Sequence, residues 1–158
     1  MSRWLLDPGI LSELRRCQPE QRAPQFIAGQ PLETLCISVV TLAEIRSGIE
    51  QLPEHPRRSK LNEWLAHSVR PMFEQRVLPI TEDVMLKWWL LVDESRKIGH
   101  IFSQPDLTIA AMGLHRGLTG FSRDTAEYLA ARAPVFNPWT DSLPDASGYR
   151  ESHRKSLS

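Results

Sequence analysis

Four carboxylates in this chain stand where strand-like runs meet helix-like ones. Asp7 follows the apolar run Trp4-Leu5-Leu6. Glu44 lies early in a helical pattern, just after a second apolar run. Asp106 opens another helical pattern, and Asp124 follows Leu118-Thr119-Gly120-Phe121-Ser122. Crowded carboxylates raise one another's pKa, and they are tolerated together when a cation neutralises them. Hard oxygen donors with no His or Cys among them suit Mg²⁺ or Mn²⁺. Such an ion polarises a phosphodiester and acidifies bound water, so the chemistry indicated is metal-dependent phosphodiester hydrolysis.

Each acid also has a plainer reading. Asp7 can cap the helix that Pro8 opens. Glu44 can be a solvated helix residue. Asp106 can serve the helix dipole from the first turn, and Asp124 can be a turn residue after a strand. Taken singly, the acids leave both readings open, and the elements that carry them must decide.

Those elements alternate. The first strand, Trp4–Leu6, runs into Pro8-Gly9 and a short helix with Leu11 and Leu14 on one face. A second helix, at about 20–28, ends at Gly29 and Pro31. The next strand spans 34–38, and Val39-Val40-Thr41 either prolongs it or opens the helix that runs to Gln51, with Leu42, Ile45 and Ile49 on its apolar stripe. A longer helix, at about 57–73, meets Pro71, which ends or kinks it. A short strand at 76–80 precedes the capping start Thr81-Glu82-Asp83 of a helix that stops at Gly99. The helix after Pro105 is apolar nearly all round, so it is buried against a sheet. A strand at 118–122, a short helix at 125–132 and an edge strand at Val135-Phe136 close the pattern. Strand–helix alternation predicts a three-layer α/β/α domain with a small, mainly parallel sheet of four or five strands. In such a sheet these strand ends and helix starts share one edge, where ligands bind. From Thr140 onward the chain is polar, which predicts a disordered tail over 140–158 behind a domain of residues 1–139.

Composition bounds the rest. The chain has 158 residues, with 19 Lys plus Arg against 19 Asp plus Glu, so bulk charge does not attract nucleic acid. Contact with a polyanion needs a local basic patch or bridging cations. No apolar run approaches the roughly 18–20 residues that span a bilayer, and no secretory h-region stands at the start, so cytoplasmic residence and no membrane partner are expected. Cys17 and Cys36 make no metal spacing and no expected disulfide.

With these residues in view, the chain resembles the PIN-domain ribonucleases, specifically the VapC-type toxins of bacterial toxin–antitoxin pairs in their Fit-like branch. The resemblance is carried by Leu5-Leu6-Asp7 with Ile10–Leu14, by Ile37–Ile49 around Glu44, and by Pro105-Asp106-Leu107-Thr108-Ile109-Ala110-Ala111. Gly117-Leu118-Thr119, Ser122-Arg123-Asp124-Thr125 and Val135-Phe136-Asn137-Pro138-Trp139 complete it. It implies that Asp7, Glu44, Asp106 and Asp124 form an acidic metal site. It also implies Mg²⁺- or Mn²⁺-dependent endoribonuclease activity, a homodimer, a small VapB-type antitoxin, and operator DNA bound indirectly through that antitoxin. Ser38 and Ser122 fall where the family often has a hydroxyl near the site. Where the family usually has Asp-Thr-Asn, this chain has Asp7-Pro8-Gly9. That departure motivates a second reading, a catalytically weak partner acting mainly in a DNA-binding autoregulatory complex. Many members carry their last acid three residues after the position of Asp124, so Glu127 stands as a second candidate there.

Other features have local readings. Trp88 and Trp89 are adjacent on one helix and cannot share one core; one of them is expected at the core and the other at a dimer or antitoxin surface, or merely partly exposed. Arg57, Arg58 and Lys60 can touch RNA phosphate or form a solvated loop. The five His residues are scattered, and none is assigned as ligand or base. Gly9, two residues after Asp7, argues against a dehalogenase-like phosphoryl-transfer site, which would want a second acid there.

Overall fold

The computed structural model describes residues 3–15, 22–101 and 103–140. Cys17, the expected start of the second helix and the expected tail beyond Thr140 lie outside the described residues.

Five parallel strands form one sheet in the order β3-β2-β1-β4-β5. They are β1 (Trp4–Leu6), β2 (Leu35–Ser38), β3 (Val77–Leu78), β4 (Thr119–Phe121) and β5 (Val135–Phe136). The first strand is central because its residues are apolar on both faces, as a strand covered on both sides must be. Trp4 and Leu6 face one layer and Leu5 the other, and all three are buried.

One layer holds α1 (Pro8–Arg15), α2 (Arg22–Ala28), α3 (Val39–Glu50) and α4 (Pro56–Trp64). Its core is aromatic. Phe26 and Phe121 stack at 5.2 Å between ring centroids, with Trp4 set edge-on to both and Phe136 beside them. The other layer holds α6 (Glu82–Ile98), α7 (Gln104–Arg116) and α8 (Ala126–Ala130). There Ala110 and Ala111 are fully buried, so the α7 backbone lies close to the sheet.

Local departures from the sequence pattern have physical causes. Val39-Val40-Thr41 open a helix instead of prolonging β2, because Ser38 caps it, its hydroxyl oxygen accepting the Val40 N–H at 3.0 Å. The third strand shrinks to two residues, since Pro79 has no N–H to donate. The long helix neither stops at Pro71 nor runs on as a uniform α-helix. It widens into a π turn at Leu65–Val69 and ends in a last turn, α5 (Arg70–Met72). A π turn just before a proline relieves the clash of its ring with the preceding turn. Arg57, Arg58 and Lys60 belong to the start of α4 and not to a loop, with the His55 ring nitrogen accepting the Arg57 N–H.

Candidate metal centre at the carboxyl edge of the sheet

Asp7 stands one residue past β1. Its N–H donates to the Phe121 carbonyl at 3.2 Å, which holds it in register with β4. Its two carboxylate oxygens have separate partners. Oδ1 accepts the Ile10 N–H at 3.0 Å and so caps α1. Oδ2 accepts the hydroxyl of Ser122, a fully buried residue at the end of β4. The Ser122 oxygen in turn accepts the Asp124 N–H at 3.0 Å. One serine thus ties the first acid to the backbone of the last.

Burial pushes the Asp7 carboxyl above its ordinary range. Hydrogen bonds from Ser122 and Ile10 pull it back, the charge of Asp106 raises it again, and the Gly9 backbone lowers it. The net direction is upward. Pro8-Gly9 carries no bracing side chain, but the backbone N–H groups that follow it and Ser122 do that work.

Glu44 lies in the second turn of α3, half-exposed, and its carboxylate makes no hydrogen bond among the described residues. Partial burial raises its carboxyl, followed by the charges of Asp106 and Asp7. Asp106 is in the first turn of α7, where the Ser103 hydroxyl donates to Oδ2 at 2.5 Å. The α7 helix reaches this edge because its far end turns at Gly117, in a left-handed conformation, directly into β4. Asp124 shares with Asp7 a cleft of ≈ 360 Å³ that is also lined by Glu13, Arg123 and Trp139.

The structure therefore brings Asp7, Glu44 and Asp106 within electrostatic reach of one another, and Asp124 into the cleft of Asp7. Among the described residues, no three Asp, Glu, His or Cys side chains close tightly enough to enclose an ion. The donor set fits a hard divalent cation in kind: all four donors are carboxylates, and two of them are raised by burial and further by like charge. Repulsion of this sort is what a cation relieves.

The remaining sequence candidates have partners of their own. Glu127, in α8, faces His100 at 3.8 Å. Ser38 caps α3. Arg57 lines a second cleft, of ≈ 380 Å³, with Glu44 and Trp64, while Arg58 pairs with Glu50 at 2.8 Å. Trp88 packs on the α6–α7 core and Trp89 is 55% exposed, so the two do part company.

Sequence reasoning missed Tyr128. Its hydroxyl is buried without a hydrogen-bond partner among the described residues, and its phenol is pushed far up by burial and then by the charges of all four acids. A Cβ on Gly120 would come within 2.3 Å of its ring. Glycine inside a strand is the available signal, since it marks close approach by a neighbour.

A sheet of this order with an acidic carboxyl edge defines a PIN-type domain, and the PIN domain family matches residues 5–133. The chain belongs to that family. Its relatives include the plasmid stability protein StbB of Pseudomonas syringae pv. tomato, 38% identical over 85% of this chain and 97% of that protein. Toxin FitB of Neisseria gonorrhoeae is 34% identical over 87% and 99%. The VapC ribonuclease Y4jK of Sinorhizobium fredii is 32% identical over 85% and 96%. Among solved structures, FitAB bound to an IR36 DNA fragment superposes with a TM-score of 0.81 at 31% identity, over 89% of this chain and 98% of that one. The resemblance to VapC-type and Fit-like toxins drawn from the motifs stands.

Proposed function

We propose that this chain is the toxin of a type II toxin–antitoxin pair and a divalent-metal-dependent endoribonuclease. The observation that carries the reading is the held position of Asp7, fastened by Ser122 and the α1 N-terminus at the strand edge and electrostatically coupled to Glu44 and Asp106. Relatives named toxin and ribonuclease support the substrate class. Asp7 and Asp106 would hold Mg²⁺ or Mn²⁺, and Glu44 and Asp124 would complete or orient the set. When bound, the ion supplies charge neutralisation for the phosphate and a more acidic water. Ser122 holds Asp7 by Oδ2, and Ser103 steadies Asp106. A VapB-type antitoxin silences the site and carries the pair to operator DNA. The exposed face of α6, with Met85, Leu86, Trp89 and Leu90, suits a second copy in a homodimer.

The test incubates the purified protein with candidate RNAs, with Mg²⁺ or with a chelator, beside an Asp7→Asn control. Cleavage that needs both the ion and Asp7 is expected. Cleavage indifferent to either overturns the mechanism. Binding to the antitoxin–operator complex with no cleavage of any RNA would favour the catalytically weak regulatory partner instead.

A further inference from the structure

A polyanionic substrate must enter a cleft edged by carboxylates on a chain with no net positive charge. Among the described residues that line the cleft shared by Asp7 and Asp124, Arg123 alone is basic. Its guanidinium carbon sits 3.8 Å over the ring of Trp139. Among the described residues it has no ion-pair partner, although Asp124 is its neighbour in sequence.

The mounting of this arginine is built. Asn137 is only 8% exposed, and its side chain joins both partners. Its amide nitrogen donates to the Arg123 carbonyl at 3.3 Å, and its amide oxygen accepts the Trp139 N–H at 3.0 Å. Arg22 donates to the Trp139 carbonyl at 3.0 Å and holds the turn from outside. A guanidinium held over an aromatic face by cation–π attraction does not use its N–H groups in that contact, so they stay available to take a phosphate with two hydrogen bonds.

We propose that Arg123, held over the Trp139 ring and anchored through Asn137, is the phosphate-binding residue of the RNA cleft. It seats the RNA backbone against the acidic edge by contacting a phosphate beside the one cleaved. The assignment deepens the ribonuclease reading and rests on it for the identity of the substrate.

The experiment measures single-turnover cleavage of a labelled single-stranded RNA in Mg²⁺, across RNA and salt concentrations, for the wild type, Arg123→Gln and Arg123→Lys. Arg123 is exposed, so both variants should melt like the wild type. Arg123→Gln is expected to raise the half-saturating RNA concentration roughly tenfold, with a smaller change in maximal rate. The slope of log(kcat/KM) against log[salt] should become shallower by about 0.7, as for one lost contact to a single strand. Arg123→Lys should restore the slope and part of the affinity. An unchanged half-saturation, or a rate loss that tracks melting and ignores lysine rescue, overturns the proposal. If the wild type cleaves no RNA, the ribonuclease reading fails. RNA binding in chelator then judges Arg123 alone, and an equal Kd and salt slope for Arg123→Gln would overturn it.

Discussion

The two sides of the acidic edge are built differently. On the β1–β4 side, Asp7 has a partner for each oxygen, and the serine that holds it also holds the Asp124 backbone. Beneath lies a packed aromatic core on one face and Tyr128, pressed against Gly120, on the other. On the α3–α7 side, among the described residues, the half-exposed Glu44 carboxylate makes no hydrogen bond and the Asp106 carboxylate takes one, from the nearby Ser103. The contrast separates two tasks. A fastened acid sets where a ligand must sit, and less constrained acids can close on it at small cost in rotamer freedom.

Asp7→Asn breaks the fastened side most directly. It should lower cleavage by on the order of a hundredfold or more while the fold persists. The same variant should melt higher than the wild type at neutral pH without metal. The native Asp7 carboxyl is raised above its ordinary value of 3.8, so the native state holds extra protons and stability falls as pH rises from that value through the raised one. The melting gap between variant and wild type should therefore widen over that rise and close below it. A wild type that melts higher than Asp7→Asn throughout would contradict the burial penalty.

Gly120→Ala tests the floor under the same side. The added Cβ meets the Tyr128 ring at 2.3 Å, so denaturant unfolding should show a loss of about 1–3 kcal/mol. Glu44→Gln tests the open side. Roughly tenfold slower cleavage is expected with melting nearly unchanged, and a loss as large as that of Asp7→Asn would erase the distinction between the sides. Metal addition should raise the wild-type Tm more at pH 8 than at pH 5, because the ion competes with protons for raised carboxyls, and Asp7→Asn should blunt the rise. The smallest effect belongs to Glu127→Gln. Glu127 faces His100 and is not among the residues that line the cleft, so the change should be less than about twofold in cleavage and under about 0.5 kcal/mol in stability.

Much of the arrangement was legible in the order of residues. The alternation of short apolar runs with helical stripes implied the layered sheet, and acids at the strand–helix junctions implied a common edge. The capping reading of Asp7 describes one oxygen, which accepts at the start of α1, while the other accepts from Ser122. Periodicity has no means to show that a carboxylate divides its oxygens in this way. The π turn before Pro71 was hidden for a similar reason, since proline's cost can be met by ending, bending or widening a helix, and only packing chooses.

Residue types and their order were enough to determine the fold class, the family and four acids on one edge. Backbone geometry alone sends every parallel strand's carboxyl end to the same side. Which acid is fastened was decided by tertiary structure. Ser122 meets Asp7 across 115 positions of sequence, and Asn137 reaches back to Arg123. Tyr128 fills the space that Gly120 leaves. Contacts of this kind depend on distance in space, which local sequence pattern does not encode.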